Sequence, residues 1–162
     1  MAQIFFSPQV LGSTLGKRVF APALQGKTAS ATGSLDLPHT YTYVDDFGKA
    51  LVTLGEREEA LGRAWHVPNA ETLTQRQLIT MIFEEIGAPP KMSGMGKLML
   101  RLGGLFIPEA RETVEMMYEF EKPFIVYDSQ YKWAFGDHAT PLRDAVRETI
   151  AWYRQHLQTQ AT

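Results

Sequence analysis

Leu37-Pro38-His39-Thr40-Tyr41-Thr42-Tyr43-Val44-Asp45-Asp46-Phe47-Gly48-Lys49-Ala50-Leu51 changes its periodicity once, at the two aspartates. From His39 to Val44 the pattern has a period of two, with His39, Tyr41 and Tyr43 on one face and Thr40, Thr42 and Val44 on the other, which predicts a strand. Beyond the aspartates, Phe47, Ala50, Leu51 and Leu54 recur at helical spacing, and Gly55 is where that helix is expected to stop. Asp45 or Asp46 stands where the orphan amides of a first helical turn need an acceptor, so capping is the simplest reading of the pair. Adjacent side chains point in different directions, which argues against a paired acid and base. A strand that runs straight into a helix is the building unit of a mixed α/β fold.

Toward the N-terminus, Ile4-Phe5-Phe6 reads as the end of a buried strand stopped by Ser7-Pro8. Ser13 to Leu24 has helical spacing, with Leu15, Val19 and Ala23 on one side; Pro22 must end or bend it, and Gly26 closes it. Thr28 to Thr32 is a candidate short strand before the turn Gly33-Ser34-Leu35-Asp36. In the other direction, Ala64-Trp65-His66-Val67 reads as a strand ended by Pro68-Asn69. Thr74 and Gln77 form a capping box, with Leu73 and Leu78 as the staple around it. Leu78, Ile79, Ile82, Phe83 and Ile86 then make one apolar stripe that ends at Gly87. Further helices are expected from Met95 to Leu102 and from Pro108 to about Phe120, with Pro123 as a stop. Ile125-Val126-Tyr127 reads as a strand, and Asp128 or Ser129 as the cap of a short helix. Thr140-Pro141 opens the last helix, with Leu142, Val146, Ile150 and Tyr153 inward. The chain of 162 residues shows no repeat or linker and is expected to form one domain, residues 1–162.

A formal net charge of -2 leaves no electrostatic footprint for nucleic acid or an anionic membrane. No apolar run approaches the ~20 residues needed to cross a bilayer, and the first residues lack the pattern of a secretory leader. The absence of cysteine removes disulfide and thiolate chemistry and agrees with a reducing compartment, so a cytoplasmic location is expected.

Several chemistries are missing. A dinucleotide site needs a strand, a glycine-rich turn and a helix N-terminus to meet the pyrophosphate. The nearest imitation, Ser93-Gly94-Met95-Gly96-Lys97, has Met99 in place of the third glycine and Pro89-Pro90 just upstream, so it reads as a helix-entry turn. Tyr118 and Lys122 have the Tyr-x-x-x-Lys spacing of an acid catalyst, but Lys122 precedes Pro123, which pushes it out of helical geometry. His39, His66, His138 and His156 show no ligand spacing, and Ser13 and Ser93 lack the elbow of a hydrolase nucleophile. Phe5, Phe6, Tyr41, Tyr43 and Tyr118 are equally consistent with a core and with the lining of an apolar ligand pocket.

The stretch from Leu37 to Leu51 resembles a segment of the extended short-chain dehydrogenases/reductases, the NAD-dependent epimerase/dehydratase-like family, in which Tyr/Val-Asp-Asp opens a helix after the catalytic region. Other segments are similar in order and spacing. Phe5-Phe6-Ser7-Pro8 resembles the family's Tyr-Gly-Pro stretch; Trp65-His66-Val67-Pro68-Asn69 with Thr74 resembles a later strand and helix. Lys132-Trp133-Ala134-Phe135-Gly136 with Thr140-Pro141-Leu142 resembles its closing motif. The resemblance implies an α/β chain that is the C-terminal part of an extended Rossmann fold: a mainly helical substrate lobe with a few short strands, its N-terminal dinucleotide-binding unit missing. It implies NAD(P) as cofactor of the intact family, acting on sugar nucleotides or other small alcohols and ketones, and no cofactor for this chain alone. The family's catalytic Ser/Thr, Tyr and Lys precede the position of Phe5, so no catalytic residue carries over. By position, the resemblance implies Phe6, Ser7 and Pro8 at the cofactor edge and Tyr41, Arg111 and Tyr118 toward substrate. Phe5 and Ser7 depart from the family's Tyr and Gly there. The expected partners are a small-molecule substrate and either a second copy of the chain or the missing Rossmann unit, since strand Ile4-Phe5-Phe6 leaves apolar area to cover.

Overall fold

In the computed structural model of the chain, residues 4–9, 13, 15–95 and 120–159 are described. Strand β1, Ile4–Phe6, is followed by a π-helical turn, Gly16–Phe20, that continues into α1, Ala21–Leu24. Pro22 explains the wide turn. It brings no N–H and its ring crowds the carbonyl four residues back, so the ladder loosens there and the Ala21 N–H reaches back to Gly16 O. The proline therefore reshapes this helix before Gly26 ends it.

Strand β2, Ala29–Thr32, precedes β3, Pro38–Tyr43, which passes directly into α2, Val44–Glu56. Strand β4, Thr72–Thr74, leads into α3, Gln75–Ile86, and β5 spans Met92–Met95. Two helices close the described chain: α4, Ser129–Phe135, and α5, Leu142–Thr159. One sheet has the order β1-β3-β4, with β1 parallel and β4 antiparallel to β3; β2 and β5 form a second, parallel pair. A parallel neighbour requires a crossover, and here the π-turn, α1 and β2 supply it between β1 and β3.

Strand β3 is buried on both faces. Tyr41 and Tyr43 enter the main core with Phe6, Phe20, Ile82 and Phe83, while Thr40 and Thr42 point to the other side. Hydroxyls can be buried there because each finds a partner. Thr42 Oγ1 donates to Asn69 Oδ1 at 2.6 Å, and Thr40 Oγ1 lies 2.9 Å from Thr72 Oγ1. A second, smaller core of Ala50, Val67 and Tyr131, with Phe47, Trp65 and Phe135 around it, joins α2 to α4.

The helix start and stop at α3 follow the local pattern. Thr74 Oγ1 accepts from Gln77 N, Gln77 Oε1 accepts from Thr74 N, and Gly87 ends the helix at φ 80°. Leu142, Val146, Ile150 and Tyr153 are inward on α5 as their spacing requires. Helices α3 and α5 are also tied at the surface, where Arg143 and Arg147 both bond Glu85. Those hydrogen bonds, Arg147 first, hold the Glu85 carboxyl below its ordinary range.

Several expectations are corrected. The second helix begins at Val44 and runs through Gly55 to Glu56. Its N-cap is Tyr43, without a side-chain cap, so neither aspartate caps it. Trp65–Val67 and Ile125–Tyr127 are not strands. Beside β3 only Phe124 makes an isolated bridge, to His39, and the Val126 N–H is taken by the Thr40 hydroxyl instead of a backbone carbonyl. Asp128 stands at the N-cap of α4 but its carboxylate accepts from Asn69 N at 2.6 Å and pairs with Lys132, leaving the helix amides. Met95 belongs to β5; the rest of the helix expected from it, and the helix expected from Pro108 up to Glu119, lie outside the described residues.

Candidate functional site

In open α/β sheets the crevice beyond the carboxyl ends of parallel strands is where ligands are held, because the chain leaves the sheet there into loops and helix starts. Strands β1 and β3 end side by side, with Phe6 in register with Tyr43. Ser7 and Pro8 follow the first strand; Asp45 and Asp46 follow the second, in the first turn of α2.

Four oxygen-bearing side chains meet at this end. Ser7 is buried, with its Oγ 3.5 Å from Asp45 Oδ1, the long limit of a hydrogen bond. The Tyr43 hydroxyl donates to Glu148 Oε2 of α5 at 2.5 Å. Burial, the bond to Glu148 and the nearby Asp45 carboxylate all push the Tyr43 phenol far up. Tyr43 therefore keeps its proton and acts as a fixed donor rather than as an acid that titrates near neutrality. The exposed carboxylates of Asp45 and Glu148 supply acceptors toward solvent, suited to hydroxyl or amine groups and unsuited to a phosphate.

The two aspartates part company. Asp46, 3% exposed, turns inward and accepts from Thr140 N and Thr140 Oγ1, both at 2.7 Å, and from Lys49 at 2.9 Å. It ties α2 to the loop that enters α5. Asp45 stays outside. The pair is thus not a cap, and its two carboxylates face different surroundings.

Of the residues expected at the cofactor edge, Ser7 belongs to this cluster, and Pro8, half-buried, flanks it. Phe6 is 1% exposed and packs in the core against Phe20 and Tyr43, at ring centroid distances of 6.3 and 5.6 Å. Tyr41, expected toward substrate, lies one side-chain step back on the same face of β3, opposite Ile4. Its hydroxyl is buried and has no hydrogen-bond partner among the described residues, and burial pushes that phenol up. Arg111 and Tyr118 lie outside the described residues, as does the Tyr118 end of the Tyr-x-x-x-Lys spacing.

An unpartnered buried hydroxyl costs stability, so Tyr41→Phe is expected to raise the unfolding free energy by about 1 kcal/mol. Tyr43→Phe, which breaks a bond to a carboxylate, is expected to lower it by about 1.5–3 kcal/mol. Urea denaturation of both variants checks this; equal losses would mean that Tyr41 has a partner too.

The remaining candidates serve structure. Ser93 and Gly94 lie in β5, paired with Ser30 and Ala31 of β2, and a side chain at Gly94 would come within 3.2 Å of Gly33 O. That glycine lets backbones approach, while Gly96, Lys97 and Met99 of the same stretch lie outside the described residues. His66 bonds Tyr127 O, and His156 stacks on Trp152. Among the described residues no three His, Cys, Asp or Glu side chains gather to hold a metal ion, and no helix is long and apolar enough to cross a membrane.

Sequence reading had Tyr43 only among five aromatics open to core or pocket lining, and it missed Glu148. Tyr43 shared a face with Tyr41 and so carried a signal, whereas Glu148 stands 105 positions away with nothing local to single it out.

No protein-family model matches the chain, and no curated protein matches it. Solved structures do. The chain is similar to UDP-glucuronic acid 4-epimerase from Bacillus cereus, solved with UDP-glucuronic acid and NAD, at a TM-score of 0.70 and 15% identity over 94% of this chain and 43% of that one. It is similar to dTDP-glucose 4,6-dehydratase from Bacillus anthracis str. Ames, solved with NAD, at a TM-score of 0.69 and 13% identity over 95% and 43%. It is also similar to RMD from Pseudomonas aeruginosa, solved with NADPH, at a TM-score of 0.64 and 14% identity over 94% and 46%. The chain therefore shares the α/β fold of these solved structures over the somewhat less than half of their length that it spans.

Proposed function

We propose that this chain is the substrate-side part of an NAD(P)-dependent oxidoreductase-, epimerase- or dehydratase-like protein and is not catalytically competent alone. One observation carries the reading: two parallel strands end together at Ser7 and Asp45, where Ser7, Tyr43, Asp45 and Glu148 form a polar crevice on a fold similar to cofactor-bound enzymes. The substrate side is expected to receive a small alcohol, ketone or sugar nucleotide through its hydroxyl groups.

The described residues do not fit a dinucleotide's pyrophosphate. Such a group needs free amides at a helix start, reached from a strand by a glycine-rich turn. The first turn of α2 instead carries Asp45 and Asp46, whose negative charge opposes an anion, and the first turn of α3 is filled by its own Thr74–Gln77 box. The cofactor and the catalytic groups are thus assigned to a dinucleotide-binding unit outside these residues.

Calorimetric titration of the purified chain with NAD+ and with NADPH tests the reading. Neither is expected to saturate in the micromolar range, and no alcohol is expected to be oxidised. Micromolar binding of either cofactor by the chain alone would overturn the proposal.

A further inference from the structure

The outer face of α2 is apolar and uncovered. Leu51 and Val52 are 54% and 60% exposed, and Gly48 and Gly55 are exposed beside them. These four stand at i, i+3, i+4 and i+7 and so share one side of the helix, opposite the side that buries Asp46, Ala50 and Leu54. Nothing among the described residues requires the two glycines. Neither has a positive φ, and a Cβ built on either meets nothing within 4 Å. Glycine inside an exposed helix is less favourable than alanine. A helix with two of them beside exposed leucine and valine is smooth where another backbone can come close.

Charge along the flank of this face indicates what the other body is. Lys49 and Glu56, seven residues apart, lie on the same edge of the stripe, and both are exposed. If α2 meets an antiparallel copy of itself about a two-fold axis between Leu51 and Val52, Gly48 comes opposite the partner's Gly55 and Leu51 opposite the partner's Val52. The same rotation brings Lys49 toward the partner's Glu56 and Glu56 toward the partner's Lys49. A two-fold contact must be self-complementary, and this one is, in shape and in charge. Lys49 also bonds Asp46 at 2.9 Å, with its side chain 55% exposed.

We propose that the α2 face is a self-association surface, through which two copies of the chain pair antiparallel, α2 against α2. The contact is independent of the cofactor reading, because it uses neither the crevice nor a dinucleotide.

Light scattering of the full chain across a concentration series tests it. The weight-average mass is expected to rise from 18.2 kDa toward twice that value. Val52→Arg is expected to weaken association by about tenfold or more and Glu56→Lys to weaken it less. Gly48→Ala and Gly55→Ala give the sharpest contrast. Each is expected to raise the melting temperature of the monomer, as any exposed helical glycine would, and yet to weaken pairing by filling the space where the helices approach. A monomeric mass at every concentration, as when some other unit covers this face, overturns the proposal. So does association that Val52→Arg and the glycine variants leave unchanged while circular dichroism shows them folded.

Discussion

Replacing Phe20 with alanine is expected to lower the unfolding free energy by about 3–5 kcal/mol, read from the shift in a urea denaturation midpoint at constant slope. Phe20 is 1% exposed and stacked between two rings: Phe6 of β1 at 6.3 Å and Tyr153 of α5 at 5.7 Å. The stack joins the first strand, the π-helical turn and the last helix. Truncating the middle ring removes its own burial and leaves a cavity lined by groups that cannot all collapse into it. Small domains are stable by only about 5–15 kcal/mol, so this one change consumes a large fraction of the total. A loss below about 1 kcal/mol would mean that the rings do not form one packed column. The effect bears on function as well, because Phe6 immediately precedes Ser7 and orients the turn that enters the crevice.

Asp46→Ala is expected to be the second severe substitution, at about 2–4 kcal/mol, while Asp45→Ala stays within about 0.5 kcal/mol of the parent. The residues are chemically identical neighbours; their surroundings differ. Asp46 is buried and accepts two hydrogen bonds from Thr140 and one from Lys49. Removing it strands the Thr140 amide and hydroxyl, and the loop between α4 and α5 loses its tie to α2. Asp45 is exposed, with a long contact to Ser7 and its carboxylate near the Tyr43 phenol. Matched denaturation curves for the two variants decide the matter, and equal effects would contradict the geometry. Asp45→Ala then becomes a useful probe of the crevice, since it alters the charge beside Tyr43 without unfolding the chain.

What could be read from the chain itself was whatever is settled within a few residues. The change from period two to helical spacing at Asp45-Asp46 marked the junction of β3 and α2. The Thr74–Gln77 box and Gly87 set both ends of α3, and the apolar stripe of α5 fell on its buried side. Capping bonds and left-handed stops span one turn, and amphipathic spacing repeats every turn, so each is written in neighbouring positions. The wide turn ahead of Pro22 is of the same kind, although its form was not anticipated.

Tertiary structure alone decided the rest. Trp65–Val67 and Ile125–Tyr127 have strand-like composition, yet a strand exists only where another backbone lies alongside, and in the described chain β1 and β4 fill that role beside β3. Tyr43 acquires its place in the candidate site from Glu148, and Asp46 its structural one from Thr140, across separations of 105 and 94 residues. No local pattern encodes such partners, because the bond depends on where the chain returns after folding. That return separates two adjacent aspartates into a buried tie and an open acceptor. It also leaves the outer side of α2, which the sequence shows only as part of a helix, exposed among the described residues.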